Sequence, residues 1–317
     1  MTRHLLALAL FVALLIWHSQ AEYYGFELLA EIAVFAMLAM SLDLLAGYGG
    51  MVSLGHAALF GTGAYLFAWL SGDAVGLSAP LAMAGAALGT GAVALAVGAV
   101  AVRVEGIFFI MITLGFGQMG YEFFFQNRAL GGDDGLFGIP RLDLSSFGID
   151  LSDPRAFALF ALLCAAAVYL LLAWVLATPV GAVLKGLHAN PGRLRALGLR
   201  VLVYRAAAFA FAGTIAGFAG SISAQHTQFI TPHLLNWTTS GEVLVMVIFG
   251  GLATLVGPVL GALALVLLRH EFSGITDYWG AVMGGFLIVI VLSRRNGLVG
   301  LLEGMVSGLS PKVKPDA

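Results

Sequence analysis

Long, almost uninterrupted apolar runs dominate the chain, at roughly 5–20, 26–46, 51–70, 79–102, 106–126, 155–177, 204–224, 242–268 and 279–293. A bilayer core about 30 Å thick needs about 20 such residues per helix, so each run predicts a helix that crosses or enters a membrane. Closed β-barrels, the other way of satisfying every backbone group in lipid, leave alternating segments of about ten residues instead. The pattern therefore predicts an all-α, polytopic integral membrane protein of about 8–10 transmembrane segments, forming a single transmembrane domain over 1–317.

Composition agrees. Hydrophobic residues make up 60% of the 317 positions and charged residues 10%, too few charges to build a water-exposed surface. Mean hydropathy is +0.98. The net charge of −2 gives no electrostatic basis for binding nucleic acid. The single cysteine, Cys164, cannot form an internal disulfide or a cysteine-based zinc site. The first run, with Arg3 before it and Ser19-Gln20-Ala21 after it, reads either as a cleavable signal or as a retained span anchored by Trp17, Tyr23 and Tyr24. Whether 1–21 is retained stays open.

Basic residues set the orientation. The segment 178–205 carries Lys185, Arg193, Arg195, Arg200 and Arg205 without an acid, and the end of the chain carries Arg294, Arg295, Lys312 and Lys314. Both segments, including the tail 303–317, are expected in the cytoplasm, as is the N-terminus; the acidic connection 127–155 is expected outside. If 242–268 were one helix, the tail would end on the wrong side. That run is therefore predicted to be broken between Gly250-Gly251 and Gly257-Pro258, either returning to the outer side or crossing twice as short pieces. Gly49-Gly50-Met51-Val52-Ser53-Leu54-Gly55 is echoed by Gly250-Gly251-Leu252-Ala253-Thr254-Leu255-Val256-Gly257, with one residue inserted. By the count of crossings the two echoes enter from opposite sides, as inverted repeats with broken helices do; glycine-rich low complexity is the alternative.

Four stretches, LLAGYGGMVSLGHAALFGTGAY at 44–65, GIFFIMITLGFGQ at 106–118, GGDDGLFGIP at 131–140 and GGLATLVGPVLGA at 250–262, resemble in order and spacing the LivM-type permease of branched-chain amino acid ABC importers. The resemblance runs from about residue 32 to about residue 302, and the urea-type permeases of the same superfamily share much of it. It implies half of a translocation pore in the bacterial inner membrane. It further implies a second, LivH-like permease subunit, two cytoplasmic ATPase subunits and a periplasmic or lipoprotein substrate-binding protein, with membrane lipid around them and no cofactor. The sequence agrees to the extent that it contains no G-x-x-x-x-G-K-[ST] phosphate loop. The energy source must then be another chain or an ion gradient.

The resemblance also gives 178–205 the role of the coupling loop that docks on an ATPase. Physically, Pro179 can open a short helix, Val183, Leu184 and Leu187 give it an apolar face, and Asn190-Pro191-Gly192 ends it. Gly181, Leu184, Lys185, Leu187, Arg193 and Arg195 are the candidate coupling residues; an interfacial helix serving only the positive-inside bias is the plainer reading. At His188-Ala189-Asn190-Pro191 the chain departs from the family, which usually carries acids there.

The candidate substrate path consists of Gly49, Gly50, Ser53, His56, Gly250, Gly251 and Thr254. His56 reads as a path residue or as a buried, satisfied histidine, and the hydroxyls of Ser53 and Thr254 as backbone partners or substrate contacts. Asp43, Glu31 and Glu122 lie within spans, where a charge costs about 2.5–3.5 kcal/mol at the bilayer centre. They are scattered and have no basic partner at helical spacing, so a proton relay is not expected. The family often has asparagine at Asp43. The G-x-G-x-x-G match at Gly115-Phe116-Gly117-Gln118-Met119-Gly120 lies inside an apolar run and is rejected as a dinucleotide loop. Gly213/Gly217 and Gly257/Gly261 read as helix-packing pairs, within the chain or between subunits. His226, His233 and Trp237 are too sparse for a metal site, and no catalytic constellation is found. The sequence thus reads as a non-enzymatic permease subunit for branched-chain or related hydrophobic amino acids. A urea or short-amide permease, and an ion-coupled carrier acting alone, are the rivals.

Overall fold

The computed structural model describes residues 2–72, 75–143, 150–274 and 297–300, with isolated positions between 280 and 288. The expected run at 279–293 and the tail 303–317 lie outside the continuously described residues. Eleven α-helices are present among the described residues: α1 (Thr2–Gln20), α2 (Tyr23–Asp43), α3 (His56–Ser71), α4 (Ala79–Ala101), α5 (Ile107–Gln126), α6 (Pro154–Ala177), α7 (Pro179–Ala189), α8 (Pro191–Ala196), α9 (Val201–Thr227), α10 (Trp237–Gly250) and α11 (Val256–Ser273). Five of them, α2 with the turn that follows it, α4, α5, α6 and α9, are long and apolar enough to cross a membrane. The fold is the expected polytopic all-α one with broken helices.

Local sequence explains the boundaries. Prolines fall in the first turn of α4, α6, α7 and α8, where a missing N–H costs nothing. Asp153, Asn190 and Asn236 cap α6, α8 and α10 by accepting from backbone N–H groups two or three residues on. Asn190 thereby ends α7 and starts α8, so the expected terminator at 190–192 is a corner between two helices.

Small residues set the packing. Gly213 lies against Ala94 and Gly217 against Thr90, so α4 and α9 run antiparallel; Leu59 beside Gly213 and a near contact of Gly63 with Gly217 make α3 run along α9. A side chain on Gly217 would collide with Thr90 of α4, and one on Gly63 of α3 would collide with Gly217. The Gly213/Gly217 pair therefore serves packing within the chain, as does Gly257/Gly261, which faces Gly250, Gly251 and Met246.

α11 runs antiparallel to α2: Arg269 and His270 meet Glu31, and Asp43 meets Ala253 and Leu255. α10 and α11 thus form a hairpin whose corner lies at the end of α2 nearest α7, and whose far end lies beside the start of α2. The predicted break in 242–268 is present, and the chain returns from it. α9 also opposes α2, since His226 meets Glu27, so α3 and α11 share one direction. The expected inverted relation between the glycine echoes is corrected accordingly: both lead from a glycine turn at the same end of the bundle. Counting crossings misses this because α10 starts deep. The N–H of Ala57, near the start of α3, bonds to the Ser240 hydroxyl in the first turn of α10.

At the opposite end, β1 (Leu136–Phe137) pairs antiparallel with β2 (Phe229–Ile230), with Phe137 and Phe229 stacked 4.2 Å apart. Arg141 fixes this end. Its guanidinium donates to the carbonyls of Gln225 and Leu151 at 3.0 Å each, Ser152 at 3.0 Å and His226 at 3.2 Å, and lies 4.9 Å from the Phe157 ring centroid. Asp150, exposed in the same loop, has its carboxyl held below the usual range by the backbone N–H of Ser152.

Candidate functional site

The two glycine-rich breaks meet. α2 does not stop at Asp43 but winds into a π-helical turn, Leu44–Tyr48, and the chain then runs extended until His56 opens α3. Gly50 has φ of +67° and Gly251 φ of +123°, so the second glycine of each pair takes a conformation that side chains resist. In the second break two non-glycine residues do the same, Ala253 at φ +57° and Leu255 at φ +59°. Such residues cost about 1–3 kcal/mol each and persist only where their surroundings hold them.

Asp43 is what holds them. Its buried carboxylate accepts from the N–H of Ala253 at 2.7 Å and from the N–H of Leu255 at 3.3 Å. A side chain on Gly47, one helical turn later, would collide with both Asp43 and Ala253. Asp43, which the sequence marks as a costly intramembrane acid, thus spends its charge on the backbone of the second break. Gly297 closes on the same corner, with space for no side chain against Gly250 and Gly251.

The hydroxyls at matching places do matching work. Ser53 accepts from the N–H of Gly55 at 3.3 Å; Thr254 donates to the carbonyl of Gly251 at 2.7 Å and accepts from the N–H of Gly257 at 2.9 Å. Of the two readings open for them, backbone satisfaction is the one observed. His56 is fully buried, with Nε2 2.7 Å from the Ser41 hydroxyl, which ties the start of α3 to α2. Gly49, Ser53, His56, Gly250, Gly251 and Thr254 are all buried, and of the seven candidate path residues only Gly50 is exposed. They form a joint rather than the lining of an open channel.

Gly50 meets the basic segment. A Cβ placed on it would lie 3.1 Å from Nδ1 and 3.3 Å from Cα of His188, and Lys185 Nζ sits 5.9 Å from the Tyr48 ring centroid. The expected apolar face of this helix is used differently from expectation. Gly181, Leu184 and Leu187 are buried inside the chain, Gly181 tight against Leu176, so they anchor α7 to the bundle instead of facing a partner. What the segment presents outward is Lys185, His188, Arg193 and Arg195, with exposed Val180 and Leu197. Glu105, between α4 and α5, receives Arg205 at 2.7 Å and Arg195 at 3.4 Å, binding the end of this segment to the same face. The exposed Arg195 pair orients more than it stabilises, whereas Arg205 is buried against the half-exposed Glu105.

Several contacts of the acids escape sequence reading because their partners are far apart in the chain. Glu31 receives Arg269 and, at 2.8 Å, His270; Glu27 meets His226 at 2.7 Å. Glu31 therefore has basic partners, supplied by α11 and not by its own helix. Glu122 stays on α5 with Gln118 and Gln126. Among the described residues no group of three His, Cys, Asp or Glu is placed to hold a metal. The G-x-G-x-x-G match lies in the middle of α5, with no strand before it.

A family model described as branched-chain amino acid transport system / permease component matches residues 24–292. The chain is 26% identical, over 93% of its own length and 74% of theirs, to the proteins named high-affinity branched-chain amino acid transport system permease protein LivM of Salmonella typhimurium (strain LT2) and of Escherichia coli (strain K12). No solved structure matches it.

Proposed function

Since the chain belongs to the branched-chain amino acid transport system permease family, we propose that it is the membrane-spanning permease of an ABC importer that carries branched-chain or related hydrophobic amino acids into the cytoplasm. It sits in the bacterial inner membrane with both termini and α7–α8 on the cytoplasmic side. A second, LivH-like permease completes the pore, two ATPase subunits dock on the α7–α8 rim, and a soluble or lipid-anchored binding protein delivers substrate to the Arg141 end.

The observation that carries this reading is the chain of contacts from His188 to Gly50, through the Leu44–Tyr48 turn to Asp43, and on to Ala253 and Leu255. On this reading a movement of α7 is passed to both broken helices through these neighbours. ATP binding in the partner subunits biases a two-state equilibrium of this joint, and the seven glycine-break residues shape the path by moving rather than by contacting substrate at length.

Co-purification of the chain with an ATPase subunit, combined with substrate-stimulated ATP hydrolysis in proteoliposomes, tests the assignment. Replacing Lys185, His188, Arg193 and Arg195 together with alanine is expected to abolish both. Unchanged association and stimulation would sink the coupling role, and uphill uptake by the purified chain alone would sink the importer reading.

A further inference from the structure

Two of the long apolar helices, α5 and α6, are mostly exposed, and their exposed faces differ in kind. On α6 that face carries Leu159, Leu163, Leu170, Leu171 and Trp174, which suits lipid. On α5 the buried side is Phe109, Thr113 and Gly117, spaced four residues apart; Thr113 and Gly117 are seated on Leu54 and Gly55 of the first break, and Phe109 meets Phe209 of α9. Gln118, Glu122 and Gln126 repeat with the same spacing, turned about 100–180° away by helical geometry. Gln118 and Gln126 donate from Nε2 to one oxygen each of the Glu122 carboxylate, at 3.4 and 3.2 Å. Such a ladder is unfavourable against hydrocarbon, the acid alone costing up to about 2.5–3.5 kcal/mol at the bilayer centre and less toward the helix end, where Glu122 lies. A groove runs along it, lined also by Met119 and Phe123 and bounded by Arg128 just past the end of the helix.

We propose that this ladder is a substrate site on the water-filled translocation path, in which Glu122 receives the ammonium group of a zwitterionic amino acid. Met119 and Phe123 take its apolar side chain, and Arg128 takes its carboxylate. One anion, one cation and an apolar flank on one groove match the three parts of such a ligand. The inference rests on the importer reading and deepens it. It also locates the path on the side of α5 opposite the first break, so that motion of Leu54 and Gly55 shifts the site directly.

The test uses native membranes containing the whole transporter, in a Cys164→Ala background. Gln118→Cys and Gln126→Cys are expected to react with a membrane-impermeant thiol reagent about tenfold faster than Leu163→Cys on the lipid-facing side of α6, because only thiols in water ionise. Leucine should slow the reaction at Gln118→Cys, and 4-methylvalerate, which lacks the ammonium group, should not; adding Glu122→Gln should remove the protection. Labelling no faster than at Leu163→Cys would overturn the proposal, as would protection that is equal with 4-methylvalerate or undiminished by Glu122→Gln. The importer assignment fails separately, by loss of ATPase co-purification, which none of these labelling rates measures.

Discussion

Asp43 and Ala253, separated by 210 positions in the sequence, are joined by a 2.7 Å hydrogen bond from the Ala253 N–H to the Asp43 carboxylate. With the longer bond from Leu255, it makes one side chain the common anchor of two interrupted helices. Asp43→Ala leaves two N–H groups without an acceptor, at about 1–3 kcal/mol each when buried. The purified variant is expected to melt well below the parent and to lose uptake. Asp43→Asn keeps one oxygen for the shorter bond and should fall between the two. Equal melting temperatures for Asp43→Ala and the parent would refute the anchoring role.

Gly217 sits where α3, α4 and α9 cross, against Gly63 and Thr90. Gly217→Ala has no space to occupy and should cost about 1–3 kcal/mol through overpacking, visible as a lower melting temperature and a smaller monodisperse fraction in detergent. Gly241→Ala on α10, with open space around it, is the control and should change neither.

Arg141 ties four carbonyls to one guanidinium. A lysine offers a compact point charge in place of a planar fork, so Arg141→Lys should loosen this end nearly as much as Arg141→Gln. Faster hydrogen exchange confined to residues near 139–143 and 225–230, with α4 and α9 unaffected, is the expected outcome.

Gly50 and Gly76 separate strain from contact. Both have positive φ, +67° and +66°, but only Gly50 has His188 within reach of a side chain. Each alanine substitution pays the cost of left-handed backbone, about 1–2 kcal/mol. Only Gly50→Ala should also lower the substrate stimulation of ATP hydrolysis in the reconstituted complex, while Gly76→Ala leaves that ratio unchanged.

Much of this architecture is legible in the residues themselves. The paired glycines and Pro258 mark the corner between α10 and α11, Pro179 marks the start of α7, and the basic run marks one end of the bundle. What escapes is whatever depends on which helices become neighbours. The partners of Glu31 lie on α11, 238 and 239 positions away, and no spacing rule reaches that far. The apolar stripe of α7 reads equally well as a docking face or an anchoring face, because periodicity shows that a surface is buried and not against what. The same is true of Ser53 and Thr254, whose hydroxyls are spent on backbone groups that exist only once the helices break.

The His188–Gly50 contact has a mechanical meaning. Where two side chains touch, a push from one is partly absorbed by rotation of the other about its χ angles. Gly50 has none, so the rotatable group between α7 and this stretch of main chain is the His188 ring alone. On the importer reading, the linkage between α7 and the first break therefore yields chiefly at the His188 side chain, which sets how much of a displacement of α7 reaches the backbone of the break.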